Sequence, residues 1–376
     1  MSGQLAGVRV VLVNNFPGPG LGGGEVQALA VVDGLVAAGA EVRAVVVPGS
    51  GLGTKLATRG LRVVETSLSP AALKAALRTI AGELETDQPT IALGTGYWTN
   101  LVVRLAARRT AARVVNLVGV TPGASVSDGG SALDLMARGA IDRATAGSVD
   151  AYVAVARAVA DGLVATGALP ERVHVIPNGV DVAVLRDSSR AVVSAAVPSA
   201  RPLVVCAARL EPVKGVDVLV RAAALAPGVA VAIAGDGPQE GALRELAVAL
   251  GVAERVVFLG RVSPVAPVLA AADVVVLPSR SEGMPIVALE AMALSRPVIA
   301  SRVGGVAEVV VDGETGVLVA ADDPAALAQA ILDVTADATR AAAMGVAGAA
   351  RVAGSFTAGG MADAYVRLFA ELLGQG

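Results

Sequence analysis

The feature that most constrains this chain is a repeated switch of hydrophobic pattern. Short Val-rich runs, apolar on both faces, alternate with longer segments of helical pattern. A strand apolar on both faces must be covered on both, the condition of a parallel sheet flanked by helices. In the first half the strand candidates are residues 8–13, 42–47, 91–93, 114–117 and 151–155, and residues 25–39 read as a helix ending at a glycine stop. A second alternating series opens at Val204, passes through 231–234 and continues to about Val319, where Asp323-Pro324 then starts another helix. Residues 187–201, rich in Ser and Ala, read as linker. A length of 376 residues exceeds what a single core usually supports. The expectation is therefore an α/β chain of two domains, 1–185 and 186–355, followed by a last helix from about Phe356 to Leu373. The halves share architecture rather than sequence, and no repeat of 20–50 residues is visible.

Charge excludes some function classes. The formal net charge is only −3, and no basic block interleaved with aromatics suggests a nucleic-acid partner. No apolar run reaches transmembrane length, and the first residues lack the charged region and cleavage site of a secretory signal. The single cysteine, Cys206, lies in a strand candidate and reads as a small core hydrophobe, so a disulfide framework is excluded and a cytoplasmic setting is expected. One segment leans basic: Arg104, Arg108, Arg109 and Arg113 are spaced by Val, Leu and Ala. It reads as a helix that either touches an anionic membrane surface peripherally or packs its apolar face and solvates its arginines, the commoner case.

Two segments carry the chemistry. In the first, Glu282 and Glu290 stand eight positions apart with Gly283 and Pro285 between them. A helix starting near Pro285 aims free N–H groups and a positive dipole end at an anion. Glu282 then sits just before that end and Glu290 about 7 Å deeper along the helix. The alternative is an ordinary strand–loop–helix with two surface glutamates. In the second segment, a buried strand from Val204 leads into a loop flanked by Arg209 and Lys214. Two cations at the carboxyl end of a strand form a phosphate clamp, Arg as a fork and Lys as a point charge. Between the two lies another apolar strand ending in Gly235-Asp236-Gly237-Pro238. Near the amino terminus, residues 18–23 match the spacing G-x-G-x-x-G of a dinucleotide site, but Pro19 removes a backbone donor and no acid ends the second strand, where Val47-Pro48 stands. A dehydrogenase is disfavoured.

Taken together, RLEPVKGVD around Arg209 and Lys214, GDGP at 235–238, EGMPIVALEAMA from Glu282 and VGGVAEVV from Val303 resemble the retaining family 4 glycosyltransferases. Gly22-Gly23-Gly24-Glu25 is similar to that family's GGxE loop and residues 175–181 to its connector. The resemblance implies a GT-B fold: two Rossmann-like doubly wound domains facing a central cleft, the first binding acceptor and the second nucleotide sugar, with a C-terminal helix crossing back to the first. It implies that Arg209 and Lys214 neutralise the diphosphate leaving group, that Glu282 contacts the transferred sugar and that Glu290 takes the ribose hydroxyls. Gly22, Gly23, Gly24, Gly235, Asp236, Gly237, Arg261, Val262, Gly283, Met284, Pro285, Ile286 and Val287 fall at the remaining donor-binding positions. The implied reaction is metal-independent, front-face transfer from a nucleotide-sugar co-substrate, a UDP-sugar first, to a hydroxyl of a small molecule or glycan, with no further cofactor. Two other readings stay open: a transferase moving a cyclitol, and a catalytically silent nucleotide-sugar binder.

The chain also departs from the family pattern. Where family members often carry histidines after two amino-terminal strands, Leu93-Gly94-Thr95 and Val118-Gly119 stand here, and the only histidine, His174, reads as a structural residue of a late strand. Asn15, Tyr97, Asn100 and Asn116 are the candidates to replace them on the acceptor side.

Overall fold

The structure is a computed structural model that describes residues 3–120, 132–192 and 196–374, with the side chains of 132–138 outside the description. The chain divides into two compact units, Met1–Asn178 with Ala358–Gly376, and Gly179–Thr357.

In the first unit, β1 (Arg9–Asn14), β2 (Glu41–Val46), β3 (Arg62–Glu65), β4 (Thr90–Thr95), β5 (Arg113–Val118), β6 (Ala151–Ala154) and β7 (Val173–Val175) form one parallel sheet in the order β3-β2-β1-β4-β5-β6-β7. The connecting helices are α1 (Gly23–Ala37), α2 (Gly51–Thr58), α3 (Leu73–Leu84), α4 (Tyr97–Ala107), α5 (Ala132–Thr145) and α6 (Arg157–Ala165). Val10 to Val13 are each no more than 1% exposed, as a central strand covered on both faces requires. In the second unit, α7 (Val182–Ser188) precedes β8 (Leu203–Ala207), α8 (Val216–Leu225), β9 (Ala230–Ala234), α9 (Glu240–Ala249), β10 (Val256–Gly260) and α10 (Ala266–Ala271). Then follow β11 (Val274–Leu277), α11 (Ile286–Ala293), β12 (Val298–Ser301), α12 (Val306–Val309), β13 (Gly316–Val319), α13 (Pro324–Ala336) and α14 (Ala338–Ser355). Its sheet runs β10-β9-β8-β11-β12-β13, again parallel. Strand order reverses between β1 and β4 in one sheet and between β8 and β11 in the other. At such a switch point the flanking helices diverge to opposite faces and leave a crevice outside the carboxyl ends of the strands.

The last helix, α15 (Ala358–Leu372), belongs to the first unit, where Tyr365 and Phe369 meet edge to face at 5.9 Å within the core that also holds Val32 and Leu35. Gly34 of α1 makes that contact possible: a Cβ there would lie 2.4 Å from Ala362 Cβ. Four boundaries differ from the sequence reading. The helix expected at 25–39 begins at Gly23, because Glu25 at its third position accepts the Gly22 N–H at 3.0 Å and closes the first turn. The expected linker starts late, since α7 runs through Ser188 with Asp181 capping its N–H groups. Residues 193–195 of that linker lie outside the described residues. Phe356 ends α14 rather than opening α15. Pro285 caps α11 in an extended conformation instead of entering its first turn.

The α1–α15 contact yields a prediction. Gly34→Ala forces a Cβ into Ala362 and should destabilise the protein by about 1–3 kcal/mol. Gly24→Ala, whose Cβ meets nothing within 4 Å, should be neutral or stabilising by about 0.5–1 kcal/mol. Chemical denaturation that ranks the two variants equally would contradict this account of the helix pair.

Candidate active site

The carboxyl edge of the second sheet brings the two sequence segments together. The loop after β8 carries Arg209 and Lys214, and the loop after β11 carries Ser279, Arg280 and Glu282, on the two strands that flank the switch point. Lys214 Nζ donates to Glu282 Oε1 at 2.7 Å, and Ser279 Oγ donates to the same oxygen at 2.7 Å. Glu282 is buried, at 9% exposure, so its charge is held by these two donors rather than by bulk water. Arg280 fastens the loops to each other. Its guanidinium grips Asp217 of α8 bidentately at 2.9 and 2.8 Å, reaches Asp322 at 2.7 Å and donates to the Pro212 carbonyl, while its own N–H donates to Val213 O at 2.8 Å. Asp217 in turn lies below the usual carboxylate range: burial opposes this, but the Arg280 hydrogen bonds and charge outweigh it. Arg209 is exposed and pairs with Glu211, two residues along, so it stands at the edge of the cluster rather than in it.

Glycines set the backbone spacing here. Gly235 has φ +150°, and a Cβ would lie 1.8 Å from Ala208 O; at Gly304, with φ +49°, a Cβ would lie 1.8 Å from Glu282 O. These two positions let neighbouring loops press against the segments carrying Arg209 and Glu282. Gly235, read from sequence as a donor contact, therefore has a structural duty first, and Asp236 beside it is exposed, its carbonyl accepting from Leu210 N at 2.8 Å. Arg261 and Val262 follow β10, Arg261 exposed. Gly283, Met284 and Pro285 are buried before α11, and Ile286 and Val287 form its first turn, where backbone N–H groups have no partner within the helix.

Glu290, one turn into α11, differs from Glu282. No hydrogen bond or ion pair to its carboxylate is present among the described residues, and burial alone pushes its carboxyl up to about 7. Buried without a partner, this group is stabilised as an anion by any ligand that brings hydroxyl donors to it. Cys206, within β8, is fully buried and its thiol is pushed up to about 12, so it is inert, as the sequence suggested.

In the first unit the acceptor-side candidates separate. Asn15 and Tyr97 border a groove of about 590 Å³ at the carboxyl edge of the sheet. Asn100 and Asn116 do not reach it. Asn100 is 4% exposed and donates to Leu117 O at 3.0 Å, tying α4 to β5. Asn116 is fully buried, and with its amide oriented to suit its neighbours it accepts from Arg104 Nη2 and Nε, each at 2.7 Å. Arg104 also binds Asp142 at 2.7 Å and Thr145 at 2.9 Å. The basic face read from sequence is thereby reduced, since Arg104 is buried, Arg113 pairs with Asp150 at 3.0 Å, and Arg108 and Arg109 stay exposed. Among the described residues no helix is long and apolar enough to cross a membrane. His174 is half-buried on β7. Asn14 and Thr95, which flank the switch point, were not singled out from sequence; Asn14 Nδ2 donates to Thr95 Oγ1 at 3.0 Å and approaches Glu25 at 3.5 Å. Their position at the ends of the two central strands was the available signal.

The family model described as Glycosyltransferase Family 4 matches residues 21–184, and that described as Glycosyl transferases group 1 matches residues 201–337. The chain belongs to glycosyltransferase family 4. Among its relatives is the GDP-mannose-dependent alpha-(1-6)-phosphatidylinositol monomannoside mannosyltransferase of Mycolicibacterium smegmatis, 47% identical over 161 residues, or 39% of this chain and 42% of the relative. The D-inositol 3-phosphate glycosyltransferase of Nocardia farcinica is 39% identical over 217 residues, or 53% of this chain and 48% of the relative. The matches thus span a little under half the length of these curated relatives. Sucrose-phosphate synthase from Thermosynechococcus elongatus superposes with a TM-score of 0.82 at 22% identity, covering 98% of this chain and 100% of that one. Anabaena HepE in complex with UDP and glucose superposes at 0.80 and 19% identity, covering 96% and 99%. The family 4 chain therefore has the GT-B fold, two doubly wound α/β units.

The environment of Glu290 gives a prediction with a definite sign. Its carboxyl titrates near 4.5 when unfolded and about 7 when folded, so the folded state holds the proton more tightly. Its contribution to stability is greatest below about pH 4.5 and is lost as pH rises through about 7, each unit of difference being worth about 1.4 kcal/mol. Glu290→Gln removes the charge and should raise the melting temperature at about pH 8 while leaving it unchanged at about pH 4.5. Equal effects at both values would mean the carboxylate is solvated.

Proposed function

We propose that this family 4 chain transfers a glycosyl group from a nucleoside-diphosphate sugar to a hydroxyl acceptor, with retention and without a metal at the diphosphate. The observation that carries this reading is the Lys214–Glu282–Ser279 cluster at the switch point of the second sheet, followed in the chain by Glu290 one turn into α11. Cleaving the anomeric bond places negative charge on the β-phosphate and positive charge on the sugar. Lys214, Arg209 and the free N–H groups of the first turn of α11 supply positive potential for the phosphate side. Glu282, held by Lys214 and Ser279, is in place to hold a sugar hydroxyl as cationic character develops. Glu290 takes the ribose hydroxyls. The donor-binding set from the sequence reading, including Gly22 to Gly24, belongs to the same proposal. The nucleobase has two supports: solved structures of the same fold hold UDP, and a 47% identical relative is named for GDP-mannose. Uridine is the first choice, and a thermal-shift comparison of UDP with GDP decides.

Lys214→Ala should lower turnover by ~10²-fold or more, the effect of losing one transition-state donor, and turnover of the parent should survive excess EDTA. A parent-like rate in the variant, or loss in EDTA restored by Mg²⁺, contradicts the clamp. The second expectation follows from Glu290. Ribose hydroxyls donating to its carboxylate favour the ionised form, so nucleotide binding expels a proton when the pH is below about 7. Affinity should weaken as pH falls through that range. Calorimetry at about pH 6 in buffers of different ionisation enthalpy should show proton release in the parent and none in Glu290→Gln. Buffer-independent heats in the parent would remove Glu290 from the nucleotide site.

A further inference from the structure

Resting on the transferase reading, we propose that Glu211 is a built-in competitor for the diphosphate. It holds Arg209 in the free chain and gives it up to the ligand, which weakens binding of the nucleoside diphosphate product more than binding of the nucleotide-sugar donor. The loops after β8 and β11 carry three cations, Arg209, Lys214 and Arg280, and each is already matched by a carboxylate of the chain. Lys214 is on Glu282, Arg280 on Asp217 and Asp322, and Arg209 on Glu211. A diphosphate entering here gains one of these cations only by displacing a carboxylate. The three exchanges differ in cost. Taking Lys214 from Glu282 strips the cation from a buried carboxylate. Taking Arg280 from Asp217 breaks a bidentate grip and frees both loops. Arg209 is the cation that can move: its side chain is 61% exposed, and an exposed pair is worth at most ~5-fold in an equilibrium.

Glu211 is the partner that stays. Its side chain is only 23% exposed, and its backbone is restrained. The Glu211 N–H donates to Arg209 O at 2.9 Å, and its carbonyl accepts from Lys214 N at 3.0 Å. Pro212 follows and disfavours helical backbone before it, which agrees with the extended φ of −120° and ψ of 154° at Glu211. The loop that supplies both clamp cations thus also stations a carboxylate beside one of them. A phosphate on Arg209 must approach that carboxylate, and like charges repel more as the ligand's charge grows. In a sugar nucleotide each phosphate bears one negative charge. In the free diphosphate the terminal phosphate loses a second proton at about pH 6, so above that pH the product carries more charge than the donor. Glu211 therefore favours release of the product over loss of the donor.

Titration calorimetry at about pH 8 and low salt tests this, using UDP with UDP-glucose, or GDP with GDP-mannose, whichever nucleotide the parent binds. Glu211→Gln keeps the side chain's length and removes its charge. It should tighten the nucleoside diphosphate by ~5-fold and the sugar nucleotide by less. Glu211→Ala should act in the same direction, and it keeps the test intact if the glutamine amide takes the carboxylate's place on Arg209. In an Arg209→Ala background, Glu211→Gln should change diphosphate affinity by about twofold or less, because no cation is left to compete for. Unchanged or weaker diphosphate affinity in both Glu211 variants, an equal gain for the sugar nucleotide, or the full gain surviving without Arg209 would overturn the inference and leave nucleotide binding intact. A parent that binds neither UDP nor GDP overturns the transferase reading, and this inference with it.

Discussion

The second unit depends on what Arg280 does. Lys214 and Glu282 lie on loops from different strands, and each loop alone could take many conformations. A planar guanidinium that binds Asp217 through two parallel hydrogen bonds, reaches Asp322 and donates to the Pro212 carbonyl fixes both loops in one arrangement. Lysine could not replace it, because a single ammonium cannot hold a carboxylate in a fork and reach further partners in the same plane. Arg280 is itself held above the ordinary guanidinium range, chiefly by its hydrogen bond to Asp217. The contact between Lys214 and Glu282 is thus inherited from a latch that touches neither.

With the loops fixed, two carboxylates close in sequence acquire opposite characters. Glu282 has a cation and a hydroxyl on one oxygen, so its charge is compensated before any ligand arrives. Glu290 has burial without compensation, and its proton affinity rises. The first arrangement fixes a carboxylate in one position. The second leaves a carboxyl whose anion is unfavourable until a donor or a cation reaches it, at a cost in stability of the free protein. An uncompensated group of this kind is tolerated where the surrounding core offsets it, and α11 packs against α14, α10 and the strands β11 and β12.

Much of this was legible in the sequence because it rests on local signals. Val-rich runs gave the strands, and alternation gave the parallel sheets of both units. The meeting of Lys214 and Glu282 at one end of a sheet follows from each lying in the loop after a strand of the same series, β8 and β11. What stayed hidden depends on contacts between distant residues. The latch at Arg280 joins residues 63 positions apart, and nothing local distinguishes it from any surface arginine. The beginning of α1 at Gly23 was missed because glycine disfavours helix, whereas the Glu25 carboxylate closes the turn from within. Asn100 and Asn116 were read as possible replacements for the missing histidines, yet their side chains bond Leu117 and Arg104 inside the unit, a distinction that tertiary contacts decide and composition does not.

The first unit shows how the disposal of one charge shapes a surface. Arg104 belongs to a helix whose sequence looks basic, and an exposed cation there would give the unit a local preference for anions. Instead its guanidinium is turned inward, shared among Asn116, Asp142 and Thr145 and lying 5.8 Å from the Tyr152 ring. Burial on this scale is tolerable only because nearly every donor is met. The same helix then presents Tyr97, Trp98 and Leu101 to the groove with no positive charge among them. The second unit instead keeps Lys214 and Arg209 at the carboxyl edge of its sheet, Lys214 on Glu282 and Arg209 on Glu211, so the two units dispose of their cations in opposite ways.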